Sequence, residues 1–151
     1  MHTAISLVAV AAGIVSLFRY RQITLQTKAG RLYVMMTVLS CLTGFSIYQH
    51  GGFGAPHVVG IVTLITLGIA ARAGKFRSGL GIAREVEAVA YCATILFHMI
   101  PAVTETSTRF PLGNPLIKDR NGPELQAAGG VLLVLFLIGS FIQVRRLKRA
   151  R

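Results

Sequence analysis

The chain has 151 residues, of which 53% are hydrophobic and 14% are charged, and its mean hydropathy is +0.62. Soluble domains carry about 25% charged residues, so this composition excludes an ordinary soluble protein and predicts one membrane domain. The formal net charge is +11, but the basic residues flank apolar runs. That placement is typical of topology determinants and of contacts with anionic lipids, and it argues against nucleic-acid binding.

Five apolar segments follow one another along the chain, and each is near the roughly 20 residues that a helix needs to cross a bilayer. We predict transmembrane helices over residues 2–18, 32–48, 57–71, 86–103 and 125–144. The third segment is the shortest and could extend through Arg72, whose side chain would reach the membrane interface. The prediction is an all-α integral membrane bundle of five helices that forms one domain over residues 1–151.

The distribution of positive charge predicts how the bundle is oriented. Thirteen of the sixteen basic residues lie between segments one and two, between segments three and four, and after segment five. The other three, Arg109, Lys118 and Arg120, lie between segments four and five. Cytoplasmic loops carry an excess of Lys and Arg. The alternation therefore predicts five spans, with the N-terminus outside and the C-terminus in the cytoplasm.

Small residues are spaced along several of these segments. Ala9 and Gly13 form a small-xxx-small pair in the first segment. Further glycines in the third and fifth segments are Gly60, Gly68, Gly129, Gly130 and Gly139. Small residues let transmembrane helices approach closely. We expect these positions to be helix-packing contacts, and more often within the chain than between two copies of it.

The fourth segment carries a stripe of polar residues at helical spacing. Its members are Glu87, Tyr91, Thr94, His98 and Glu105. Their spacing places them on one helix face, although Pro101 is expected to kink the helix before Glu105. Polar groups at membrane depth face the bundle interior or a wet cavity. The second segment offers a partner stripe of Tyr33, Thr37, Ser40 and Gly44.

All four histidines fall in the half of the bundle that this topology places outside. They are His2, His50, His57 and His98. Imidazole suits zinc, copper, iron or nickel, and a carboxylate can complete such a site. The sequence therefore predicts a candidate metal site near the outer face. Its ligands would be His50, His57, His98 and Glu105.

The same region could instead bind a haem or a quinone. Two histidines on different helices can hold the iron of haem b axially. A histidine with a tyrosine or threonine hydroxyl can also form hydrogen bonds with a quinone head group. The candidate cofactor-binding residues are His57, His98, Tyr91 and Thr94.

Each of these residues also has a structural interpretation. His98 can donate a hydrogen bond to a threonine or a backbone carbonyl, because an unpaired polar group within the span is costly. Glu105 can pair with Arg109 in the outer loop. His57 follows a proline turn at the interface, where an amphipathic ring is stable. His2 is expected to lie at a mobile terminus.

Two short motifs resemble those of a known family. Lys28-Ala29-Gly30-Arg31 enters the second segment, and the turn from Gly52 to His57 reads Gly-Phe-Gly-Ala-Pro-His. In these residues, and over about two thirds of its length, the chain resembles a family of uncharacterised bacterial multi-pass membrane proteins. The resemblance implies a helical membrane fold and points to His57. The family often has a His-Arg pair in the inner loop, where this chain has arginines but no histidine.

Three functions are compatible with this pattern. The favoured hypothesis is a protein of the bacterial plasma (inner) membrane that holds a redox cofactor, namely a metal, haem b or quinone, near the outer face for electron transport. The second is a non-catalytic accessory subunit of a larger membrane complex, since the sequence has no G-x-S-x-G, Walker or HExxH motif. The third is a small carrier or channel, which would form a homo-oligomer because five helices enclose little volume.

Overall fold

The computed structural model describes residues 2–45, 53–76, 81–109, 111, 114, 116–117, 119 and 122–149. Over these residues the chain forms five α-helices and no strand. Helix α1 spans His2–Tyr20, α2 spans Lys28–Phe45, α3 spans Ala55–Lys75, α4 spans Ala83–Arg109 and α5 spans Pro123–Arg149. The predicted all-α bundle of five helices is confirmed.

Most of the described helices can cross a membrane. Helices α1, α3, α4 and α5 are long and apolar enough to do so, and α2, with 18 described residues, could also span. The chain is therefore a helical membrane protein. Below, the predicted outer end is the end of the bundle that contains His2 and His98. The predicted cytoplasmic end contains Tyr20 and Arg84.

Several helices extend beyond the apolar segments that predict them. Helix α2 begins four residues before the predicted start at residue 32, because the Gly30 N–H donates to Thr27 Oγ1 at 3.0 Å. This bond satisfies a backbone group that a helix start leaves unpaired. Helix α3 includes Arg72, whose guanidinium lies 5.6 Å from the centre of the Phe76 ring. Hydropathy locates the centre of a span, whereas caps and polar contacts decide its ends.

Helix α4 passes through a proline. It contains Pro101 and continues to Arg109, so residues 104–109, which the sequence places in a loop, are helical. Hydroxyl side chains bond to backbone carbonyls in the last turns, as Thr104 does to Ile100 O at 2.9 Å and Thr108 to Thr104 O at 2.7 Å. A proline inside a transmembrane helix is tolerated where local groups satisfy the backbone. The helical geometry therefore reaches Glu105.

The first four helices pack as a ring. Helix α1 lies against α2, α2 against α3 and α3 against α4, with a smaller contact between α1 and α4. Helix α5 packs against α4 and, among the described residues, against no other helix. The buried core of the ring includes Tyr33, Leu67, Ala70 and Tyr91. The bundle is therefore a four-helix ring with α5 attached to one side.

Glycines mark where helices touch and where they do not. A Cβ added at Gly13 would lie 3.0 Å from the Tyr33 ring, and one at Gly60 would lie 2.7 Å from the Phe45 ring. The close approach predicted at Gly13 and Gly60 is confirmed. No described atom lies within 4 Å of a Cβ built at any of four others, namely Gly68, Gly129, Gly130 and Gly139. The prediction that these four form packing contacts within the chain is wrong, because the fold leaves them on open helix faces.

Candidate functional site

The polar face of α4 packs against the polar face of α2. Glu87, Tyr91 and Thr94 on α4 are each at most 2% exposed, and Tyr33 and Thr37 on α2 are fully buried. Hydrocarbon offers polar groups no hydrogen bonds, so facing each other inside the bundle is the stable arrangement. The predicted inward orientation of both stripes is confirmed for these residues.

A chain of hydroxyl groups joins the two helices in the middle of the bundle. Tyr33 Oη lies 2.7 Å from Thr94 Oγ1, and the Thr94 hydroxyl donates to Tyr91 O at 2.8 Å. Because threonine has a single hydroxyl hydrogen, the tyrosine is the donor in the first bond. The Tyr33 and Tyr91 rings meet edge to face at 6.5 Å. This part of the stripe is therefore largely satisfied by the protein itself.

The Tyr91 side chain is not fully satisfied. Its hydroxyl is buried and has no hydrogen-bond partner among the residues that the structure describes. A buried donor without a partner is costly in a low-dielectric interior. The Tyr91 hydroxyl is therefore a polar group that a bound water or ligand would satisfy.

The bonds of His98 define the state of its ring. Nδ1 lies 3.0 Å from the backbone oxygen of Thr94, one turn earlier in α4. A carbonyl only accepts, so Nδ1 carries the proton and Nε2 of the neutral ring carries the lone pair. Within the described part of the chain the hydrogen bond of His98 is made by Nδ1, and none engages Nε2. The structural interpretation of His98 is thus confirmed, and the same bond orients a free acceptor nitrogen.

His2, which the sequence places at a mobile terminus, is held by a hydrogen bond at the same end of the bundle. Its Nδ1 lies 3.1 Å from Thr43 Oγ1, and the Thr43 hydroxyl hydrogen is directed at backbone oxygens, at 2.8 Å from Leu39 O. The imidazole therefore donates from Nδ1, which leaves the lone pair on Nε2, as in His98.

The packing around His2 explains how a residue at the start of α1 reaches the site. A Cβ on Gly44 would lie 3.2 Å from His2 Cε1, so the missing side chain makes room for the ring. One turn further along α1, Ser6 Oγ lies 2.6 Å from Ser40 Oγ. His2 and Ser6 share a face with the small buried residues Ala9 and Gly13 at helical spacing. That periodicity is the sequence signal that could have placed His2 inside.

His57 has a different role from His98. The Gly54 N–H donates to His57 Nδ1 at 3.2 Å, which caps the start of α3. The ring is buried and stacks between Phe45 and Phe53, at 6.3 and 5.3 Å. Because Nδ1 accepts, the proton of the neutral ring is on Nε2. In this arrangement neither nitrogen of His57 offers a lone pair to a metal, and its neighbours differ from those of His98.

The other predicted metal ligands either have different contacts or lie outside the described residues. Glu105 forms an ion pair with Arg109 at 2.6 Å, and both side chains are partly exposed, which confirms the structural interpretation. His50 lies outside the described residues. Among the residues described, no group of three or more His, Cys, Asp and Glu side chains is placed to hold a metal ion.

The arrangement at the predicted outer end can thus be stated chemically. Two imidazoles, His2 from α1 and His98 from α4, each have Nδ1 fixed as a donor and Nε2 as an acceptor. Tyr33 lies beside the second ring, at 6.2 Å between ring centres. Such nitrogens can ligate a metal or accept a hydroxyl proton. No protein-family model, curated protein or solved structure matches the chain, so this assignment depends on its own residues.

Proposed function

We propose that this chain is a multi-pass protein of the bacterial plasma (inner) membrane that binds a redox-active metal near the outer face through His98. The metal would be the iron of haem b or a bare transition-metal ion, in an electron-transport role. The observation that supports this proposal is the Nδ1–H bond from His98 to Thr94 O at 3.0 Å. Histidines that ligate metals almost always donate their other N–H to a carbonyl, a carboxylate or water.

His2 is the second ligand in this proposal. It has the same tautomer as His98 and is held by Thr43. Two imidazoles would be enough to hold a haem iron, whereas a bare ion would require further oxygen ligands or water. The bound metal would supply one-electron chemistry. The protein would orient both imidazoles and keep the site in an apolar surrounding.

A quinol is the alternative ligand for the same residues. Nε2 of His98 is an acceptor, so it suits a quinol hydroxyl rather than a quinone carbonyl. The buried hydroxyl of Tyr91 could donate a hydrogen bond to an oxygen of the same quinol. Distinguishing a metal from a quinol is therefore a matter of measurement.

The assembly of the protein is also part of the proposal. We place it in a larger membrane complex or a homo-oligomer. The supporting observation is α5, which among the described residues touches α4 alone and exposes large apolar side chains on its other faces. An accessory subunit would use such a face, although lipid covers it equally well.

The direct test is the absorption spectrum and metal content of the protein purified in detergent, oxidised and then reduced with dithionite. We expect about one haem or metal ion per chain, with a Soret band that sharpens on reduction if haem is present. The variants His98→Gln and His2→Gln should lose the bound metal. The matched control, His57→Gln, should retain it, because that ring caps α3 instead.

The opposite result is equally clear. A featureless spectrum together with no stoichiometric metal in the wild-type protein would exclude the metal proposal. Retention of metal in His98→Gln together with loss of metal in His57→Gln would show that His57, and not His98, is the ligand. In either case, titration with a quinol, followed by the quenching of tyrosine fluorescence, would decide whether the alternative ligand binds. Failure of that titration would favour the accessory-subunit hypothesis.

A further inference from the structure

A crevice of about 310 Å³ opens at the predicted cytoplasmic end, opposite the histidine site. It lies between the end of α1, the start of α4 and the last turns of α5. Its walls include three arginines from these three regions, namely Arg21, Arg84 and Arg146. None of the described residues that line it is acidic. The arginines therefore meet in one space without a carboxylate of the lining to neutralise them.

The backbone at Arg21 is held in an unusual conformation. Its φ is 62°, the left-handed region that non-glycine residues seldom adopt. The turn is fixed by the Ser16 hydroxyl, which donates to Gln22 O at 3.1 Å, and by burial of Ile23 and Thr24 in the core. Such strain persists only where the surrounding structure enforces it. Here it lets the chain re-enter the bundle while Arg21 stays in the wall of the crevice.

One residue that lines the crevice has a side-chain oxygen with an unmet hydrogen bond. Gln143 Oε1 is buried and has no hydrogen-bond partner among the described residues, and Gln143 lines the same wall as Arg146. An amide oxygen accepts hydrogen bonds, so its natural partner is a hydroxyl or N–H donor. A ligand here would thus present negative charge to the arginines and a hydroxyl to Gln143.

Helices α1 and α5 are separated from each other, and both expose apolar side chains near the crevice. In the described residues, no Cα atom of α1 lies within 8 Å of a Cα atom of α5, although both helices touch α4. Close to the crevice, α1 exposes Val15 and Phe18, and α5 exposes Phe141 and Ile142. A molecule with a charged head and hydrocarbon chains matches both parts of this surface.

We propose that this crevice binds an anionic glycerophospholipid, with phosphatidylglycerol as the head-group class. The arginines would bind the phosphate, because the guanidinium fork matches phosphate oxygens. Gln143 would accept a hydrogen bond from a head-group hydroxyl, and the acyl chains would lie between α1 and α5. Basic pockets between transmembrane helices on the cytoplasmic side are typical sites for anionic lipids. The site is independent of the histidines at the other end.

The competing explanation is that these arginines only set the topology. In that case they would be interchangeable with other arginines at the same end, because the positive-inside rule counts charges and not positions. A matched set exists in Arg31, Arg72 and Arg149, which are exposed and do not line the crevice. Comparing lipid binding by variants of the two sets distinguishes a specific binding site from a general effect of positive charge.

The test is native mass spectrometry of the delipidated full chain, titrated with phosphatidylglycerol, with phosphatidylcholine, or with inorganic phosphate. We expect one phosphatidylglycerol to bind in preference to phosphatidylcholine. The triple variant R21Q/R84Q/R146Q should weaken that binding about tenfold or more, and R31Q/R72Q/R149Q should change it less than about twofold. The single variant Gln143→Leu should reduce the preference for phosphatidylglycerol over phosphatidic acid, which lacks the head-group hydroxyls.

Three results would overturn the proposal. Equal loss of binding in the two triple variants would reduce the arginines to a general charge effect. Equal binding of phosphatidylcholine would remove the need for an anionic ligand. Displacement of the lipid by low millimolar inorganic phosphate would identify a free-phosphate site. If R21Q/R84Q/R146Q does not fold, the Gln143→Leu comparison still decides, because an unchanged head-group preference contradicts the assigned role of Gln143.

Discussion

Helices α4 and α5 have the same length, 27 residues, yet they relate to the rest of the molecule in opposite ways. Helix α4 carries most of the acidic and hydroxyl residues of the pair and is the more buried of the two. Helix α5 is more apolar and, among its described residues, buries only Ser140. In a soluble protein the apolar helix would be inside. In a membrane the lipid is as apolar as leucine, so hydropathy marks the lipid-facing helix and polar contacts mark the interior.

The largest expected difference between a packed helix face and an open one concerns glycine, at Gly13 on α1 and Gly139 on α5. Gly13→Leu should lower the free energy of unfolding by about 2–3 kcal/mol, because a Cβ there would already lie 3.0 Å from the Tyr33 ring. Gly139→Leu on α5 meets no described atom within 4 Å and should be neutral or slightly stabilising, since glycine disfavours helix. Unfolding by SDS in mixed micelles measures both. Equal destabilisation would mean that a second copy or another protein covers α5.

The next effect concerns the hydroxyl chain between α2 and α4. Thr94→Val keeps the shape of the side chain but removes the acceptor of the Tyr33 hydroxyl, and should cost about 1–2 kcal/mol. Leu137→Ala on the exposed face of α5 should change stability by less than about 0.5 kcal/mol. The double variant Tyr33→Phe/Thr94→Val should recover part of the loss, because no buried group is left unpaired. If the loss of stability in the double variant equals the sum of the losses in the single variants, Tyr33 and Thr94 do not stabilise each other through this bond.

Removing the Tyr91 hydroxyl should have the opposite effect on stability to breaking the bond between Tyr33 and Thr94. Its buried hydroxyl has no partner among the described residues, so Tyr91→Phe should leave stability unchanged or raise it by up to about 1 kcal/mol in ligand-free protein. Thermal unfolding of wild type and variant in one detergent measures this. A clear loss of stability would indicate that water or a bound molecule satisfies the hydroxyl. Adding a candidate quinol to both proteins would then show whether that molecule is the partner.

The smallest effect is expected where α4 leaves the bundle. Glu105 and Arg109 pair at 2.6 Å, but their side chains are 44% and 63% exposed. Exposed pairs of this kind contribute about 0–1 kcal/mol, so Glu105→Gln should change the midpoint of SDS unfolding very little. It should also leave metal content unchanged, since Glu105 pairs with Arg109 and lies at the partly exposed end of α4. Loss of metal in Glu105→Gln would instead support Glu105 as a metal ligand, as the sequence predicts.

The sequence by itself determined the class of fold and the inward face of α4. Five apolar segments and the alternating charge predict the helices, since a bilayer demands about 20 apolar residues for each span. The spacing of Glu87, Tyr91 and Thr94 predicts one polar face, because a helix repeats every 3.6 residues. These are local or periodic properties, and the structure has each of them.

Only the tertiary structure decided which polar residues meet. The sequence makes both His57 and His98 candidate ligands, but His57 caps α3 through Nδ1, whereas His98 donates from Nδ1 and keeps its Nε2 lone pair. In the sequence, nothing distinguishes three of the arginines from the other basic residues that set the topology. In the structure, the ends of α1, α4 and α5 bring them to one crevice, and they are Arg21, Arg84 and Arg146. Periodicity fixes the face on which a side chain lies. The partner across that face depends on helix order, tilt and the small residues that allow contact, which no local pattern encodes.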